Sequence, residues 1–233
     1  MDGIYCGPPP LPQNLWASWN LDPVLIAVLV GMALILRREP AGLAAVAIMF
    51  LAFVSPLCAL SSALFSARVV HHVLLVAGAA PLLALALRKS PTGGISLPFA
   101  ASTLVLWAWH HPAAYDLALS NVVVYWLMQL TLLGSAVWFW SAVFTAENAP
   151  VERLLFVVAS FAQMGMLGAV LTFAPSVLYA AHVMAPFEWN MTPLYDQQLG
   201  GLIMWVPAGV PYAVAAVVLA RRSWTRLTGS AAC

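Results

Sequence analysis

Seven apolar stretches decide what this chain can fold into. They run at roughly 21–36, 41–64, 67–87, 96–111, 120–145, 151–181 and 198–220. A bilayer core is crossed by about 20 helical residues, and in lipid each backbone amide and carbonyl must be satisfied within the spanning structure, so runs this long and apolar are helices. The chain therefore reads as all-α and polytopic. A seven-transmembrane-helix bundle occupies 21–222, with a lead-in at 1–20 and a tail at 223–233. Composition points the same way: of 233 residues 63% are hydrophobic and only 7% charged, against about a quarter charged in soluble domains. A net charge of +1 predicts no nucleic-acid partner.

Orientation follows from the loops. Threading seven spans puts Arg37, Arg38, Arg88, Lys89, Arg153, Arg221, Arg222 and Arg226 on one side and only Arg68 on the other. The positive-inside rule makes the first side cytoplasmic, with the N-terminus outside. Trp16, Trp19, Trp107, Trp109 and Trp189 then fall at the outer interface. Residues 1–10 lack the basic start and apolar run of a secretory signal and read as a retained, proline-stiffened lead-in outside the membrane. Cys6, Cys58 and Cys233 show no CxxC and no pairable spacing, so they give neither a disulfide framework nor a zinc motif. Pro56, Pro81, Pro175 and Pro207 predict kinks. Small residues, Gly165 and Gly168, Gly200 and Gly201, and the run 77–80, place the sixth, seventh and third spans together at the centre.

All five histidines, His71, His72, His110, His111 and His182, fall at the outer face of this topology. A turn near Phe65 sets Cys58 and His72 at the same depth, about 10 Å along antiparallel helices. Thiol and imidazole suit copper. Arg68 shares a helical face with His71 and His72. As a fixed cation it favours the neutral, metal-binding imidazole; alternatively it snorkels to the headgroups while the rings hydrogen-bond carbonyls or water. Tyr115 and Asp116 follow His110-His111-Pro112, and Asp116 either fixes a ligating ring or ends a turn. Asp196 stands before the seventh span, as its N-cap or as a ligand facing the histidines. Met184 and Met191 in the outer loop offer thioethers to monovalent copper. Lys89 is the sole lysine and lies in a cytoplasmic loop, which rules out a retinal Schiff base on the last span; HExxH and G-x-S-x-G are absent.

Ser55-Pro56-Leu57, Ser66-Ala67 with His72-Val73-Leu74-Leu75, His111-Pro112 with Tyr115-Asp116, and the run from Asp196 to Pro207 resemble the membrane-embedded CtaG family of cytochrome c oxidase assembly factors, over about residues 20 to 220. The resemblance implies a multi-pass protein of the bacterial inner membrane, not an enzyme, that matures a haem-copper oxidase. His72, His111 and Asp196 map onto the family pattern, whereas Arg68 and His71 depart from it. The expected site is a copper centre at the periplasmic mouth built on His71, His72, His110, His111 and Asp196. Cys58, His182, Met184 and Met191 are further donors, with Arg68, Tyr115 and Asp116 behind them. Its expected partners are oxidase subunits, periplasmic copper carriers and the lipid bilayer. The other role considered is a haem-handling or purely structural subunit, since histidines from two helices can ligate haem axially.

Overall fold

The protein was analysed as a computed structural model, which describes residues 5–88, 94–145 and 149–230. All regular structure among them is helical: α1 Pro23–Ile35, α2 Pro40–Phe53, α3 Pro56–Ala63, α4 Phe65–Val73, a π-helical turn Leu74–Ala79, α5 Ala80–Leu87, α6 Ser96–Trp109, α7 Pro112–Ser120, α8 Val122–Phe144, α9 Pro150–Thr172, α10 Pro193–Trp205 and α11 Gly209–Ser230. Short 3-10 turns precede α1 and fill the segment between α9 and α10. Lys89 lies outside the described residues.

Local chemistry sets the helix starts. Side chains of Asp22, Ser55, Asn121 and Thr192 accept first-turn amides of α1, α3, α8 and α10, and proline sits in the first turn of most helices, where its missing amide has no intrahelical role.

Four helices or helix pairs are long and apolar enough to cross a membrane: Phe65–Leu87, Val122–Phe144, Pro150–Thr172 and Pro193–Arg221. The bent pair α2 and α3, joined at 48°, makes a fifth, while α1 and α6 are shorter apolar helices. The proline expectation resolves into four different outcomes. Pro56 starts α3 after the bend. Pro81 follows the π turn, where the α-ladder would have lacked its amide. Pro175 lies beyond the end of α9 at Thr172, and Pro207 lies in the break between α10 and α11.

The span from Phe65 to Leu87 is the most buried, 56% against 28–39% for the other three, and so forms the axis of the bundle. Helix α10 packs between α9 and α4, as Gly168, Gly200 and Gly201 predict, whereas the run 77–80 faces α2 instead, with Gly78 against Ile48. A Cβ on Gly201 would lie 2.5 Å from the carbonyl oxygen of Gly168, and one on Gly200 would lie 2.6 Å from the Phe65 ring. Backbones touch here because nothing larger than hydrogen fits.

The cysteine expectation is corrected. Cys6 and Cys58 form a disulfide with Cα atoms 5.2 Å apart, inside the range that geometry allows. No spacing rule reveals it, because the lead-in must first fold back onto α3. Tyr5 stacks on Tyr125 and donates a 2.6 Å hydrogen bond to Asp22, so this part of the lead-in is docked. That bond holds the Asp22 carboxyl below its ordinary range. The disulfide closes a loop across a sequence separation of 52, so replacing both cysteines by serine should destabilise the fold by about 2–4 kcal/mol. Thermal unfolding of the double variant measures this, and non-reducing peptide mapping should recover Cys6 linked to Cys58.

Candidate functional site

The site is built on the first turns of α4. This helix lacks a cap from its own flank, since Leu64 precedes it. Asp196 of α10 supplies one instead. Its Oδ2 accepts the Phe65 amide at 2.6 Å, and its Oδ1 accepts the Ser66 amide at 3.1 Å and the Ser66 hydroxyl at 2.5 Å. The carboxylate is 0% exposed and meets the positive end of the α4 dipole. Asp196 therefore does not cap its own helix. Thr192 does that, accepting the Tyr195 amide, and Asp196 lies one turn inside α10.

One and two turns along α4 come Arg68, His71 and His72, all buried. Arg68 is not snorkelled outward. It is 1% exposed, its Nε donates to the Ser61 carbonyl at 3.1 Å, and its guanidinium carbon lies 5.3 Å from the Tyr125 ring centre. Its two terminal nitrogens have no hydrogen-bond partner. The His71 and His72 ring centres are 5.7 Å apart, and those of His72 and His110 are 6.2 Å apart. His110 is brought in from the end of α6, its Nδ1 2.7 Å from the Leu106 carbonyl. Both ring nitrogens of His71 and Nδ1 of His72 lack partners, and Phe53 stands edge-on to His71 at 4.8 Å. Three imidazoles thus run in a row through an apolar interior, carrying unmet hydrogen-bonding capacity.

The remaining expected donors are elsewhere. His111 is exposed at the start of α7 and turns away from the row. His182 is buried but fully engaged: Nδ1 lies 3.2 Å from the Ala63 carbonyl and Nε2 2.7 Å from the Tyr115 hydroxyl. A carbonyl only accepts, so Nδ1 carries the proton and Nε2 takes the phenol's. Burial holds its pKa down to about 3. Cys58, locked in the disulfide, is not a thiolate donor. Met184 is exposed, and Met191 packs against the cluster of Ala63, Leu64 and Ala67. Asp116 accepts the Ala180 and Ala181 amides at 3.2 and 3.1 Å. It orders the loop that carries His182 instead of orienting a ligating ring, and Asp196 likewise faces amides and not imidazoles. No group of three or more His, Cys, Asp or Glu side chains is arranged to hold a metal among the described residues.

The structure adds residues that sequence reasoning passed over. Gln129 is 1% exposed and places Nε2 3.5 Å from Nε2 of His72, while its Oε1 has no partner. It is the one amide side chain in α8, a signal available in the sequence. Tyr125, under Arg68, has its hydroxyl 3.4 Å from Cys6 Sγ, so the docked lead-in covers this side of the cluster.

Among known proteins, the family described as "Cytochrome c oxidase caa3 assembly factor (Caa3_CtaG)" matches residues 95–226, more than half of the chain. His110, Gln129 and Asp196 fall inside the matched stretch, and Arg68, His71 and His72 precede it. No curated protein and no solved structure matches.

Two outcomes follow from this geometry. Asp196→Ala leaves two buried amides and a hydroxyl without an acceptor and should destabilise the fold by about 3 kcal/mol or more, with Asp196→Asn intermediate, as read by thermal unfolding in detergent. His182 is neutral in the fold down to about pH 3, whereas an unfolded imidazole protonates near 6.5. The stability its neutral form contributes is complete above about 6.5 and is lost as pH falls towards 3. His182→Gln should therefore flatten the acid limb of the stability profile, and parallel profiles would contradict this.

Proposed function

Because this chain belongs to the family of cytochrome c oxidase caa3 assembly factors, we propose that it acts without catalysis of its own, holding copper at the row His71, His72 and His110 and passing it to an oxidase subunit docked in the membrane. The supporting observation is the three adjacent buried rings, of which His71 has both nitrogens and His72 its Nδ1 unpartnered.

By ligand type the rings suit the cargo, and binding it would require them to close from their present spacing, since no three such side chains are gathered around one point among the described residues. Neutral imidazoles are borderline-soft and suit copper. At His110 the Leu106 carbonyl takes up Nδ1–H and fixes the tautomer that leaves Nε2 as a donor. Arg68 weakens any cation bound beside it, by direct repulsion in a medium of low dielectric. That suits a cargo site, from which the ion must leave, better than a permanent one.

Counting α1, the α2 and α3 pair, α4 with α5, α6, α8, α9 and α10 with α11 as spans gives seven crossings. The arginine-rich ends then lie in the cytoplasm and the buried histidine row lies towards the periplasmic side of a bacterial inner membrane. Periplasmic copper carriers are the donors in this scheme, and the disulfide at this end agrees with an oxidising compartment.

Copper-loaded protein, purified and assayed for metal, is the test. His71→Ala with His72→Ala should lower retained copper roughly tenfold or more and reduce the copper content of the oxidase in cells, while His111→Ala should leave both unchanged. Unaltered copper in the double variant would overturn the proposal, and a Soret band in the purified protein would replace copper by haem.

A further inference from the structure

A second feature of the fold carries its own ligand chemistry. Helix α1 packs on α2 and leaves a groove of about 320 Å³ between α1, α2 and α8, within the range of small-molecule sites. Its walls are apolar, with Leu29 and Met32 from α1, Met49 from α2 and Leu133 from α8. Val28 and Leu130, also on the groove, are more than half exposed, so it opens sideways to lipid. Two features make it more than a gap for acyl chains. Gln129 lines it, almost fully buried, with one end of its amide towards His72 and the other end without a partner. Asp22 lies at its rim, an anionic group that repels phosphate.

We propose that this groove binds a single-chain amphiphile, a long-chain or isoprenoid alcohol with quinols included, whose hydroxyl meets the free end of the Gln129 amide while its chain runs past Met32 and Leu133. A hydrocarbon tail cannot satisfy a buried amide end, which keeps its desolvation cost until a polar group arrives. A hydroxyl is the smallest group that both donates and accepts, so it completes Gln129 whichever way the amide is turned. A phospholipid is disfavoured twice: its headgroup must remain at the water interface, and Asp22 opposes its charge. Phe53 lies both on the groove and against His71, so an occupant would be one side chain away from the histidine row. The proposal stands independently of copper.

The experiment uses full-length protein in phosphatidylcholine nanodiscs with two photoreactive probes, a hexadecanol and a hexadecane that each carry a mid-chain diazirine. In the wild type the alcohol should label peptides of α1 and α8 several-fold more than the hydrocarbon. Gln129→Leu should erase that preference while hydrocarbon labelling persists. Leu29→Trp, which fills the groove and leaves Gln129 in place, should suppress both. Monodispersity and an intact Cys6–Cys58 link certify each variant as folded, and organic extraction of the purified wild type with mass analysis tells a quinol from a simple alcohol. Equal labelling by both probes in the wild type would show that the groove holds bilayer chains only and would overturn the proposal, as would an alcohol preference that survives Gln129→Leu.

Discussion

Much of the structure depends on a carboxylate that caps a helix other than its own. Asp196, on α10, accepts the first two amides of α4 and the Ser66 hydroxyl. Buried in the protein, those amides have no water to turn to, and without an acceptor the start of α4 would be an open fault in the axis of the bundle. The same contact fixes how far α10 slides along α4. That register sets Gly200 against Phe65 and leaves Gly201 facing Gly168 across α9. One carboxyl thus ties α10 to α4, and the glycines let α9 and α4 approach α10 closely.

From this anchor the polar residues divide into those that are satisfied and those that are not. His182 has a partner at each nitrogen, Tyr115 supplies one of them, and Asp116 orders the backbone beside them. These groups fasten the loop between α9 and α10 to the end of α3 and to α7. His71, the Nδ1 of His72, the Oε1 of Gln129 and the terminal nitrogens of Arg68 are buried without protein partners. Native interiors seldom tolerate such groups without a use for them, and here they lie along adjoining parts of α4 and α8. Rigid surroundings with unmet polar capacity at the centre describe a site better than they describe a core.

The docked lead-in has a part in that arrangement. Tyr5 and Cys6 close over Tyr125 and Trp126, held by stacking, by the Asp22 hydrogen bond and by the disulfide to Cys58. One end of the bundle is covered by covalent chemistry, while the groove beside α1 stays open laterally. Access to the cluster is therefore more direct from the membrane side than across the covered end.

The sequence by itself determined the material of the fold. Apolar runs of bilayer length required helices, small residues marked the contact of α4, α9 and α10, and the histidines at helix ends fell at one end of the bundle, since hydrophobicity, side-chain size and helix length are all local properties. Even so, His110 and His111 are neighbours that the sequence could not rank. One turns inward to His72 and the other out, because the helix ends between them and the chain changes direction at Pro112. Cys6 with Cys58, Gln129 beside His72, and Asp196 on the amides of α4 join residues 52, 57 and about 130 positions apart. Only the tertiary structure decided those pairings, because each depends on the rotation and register of one packed helix against another, and no local pattern of residues encodes that.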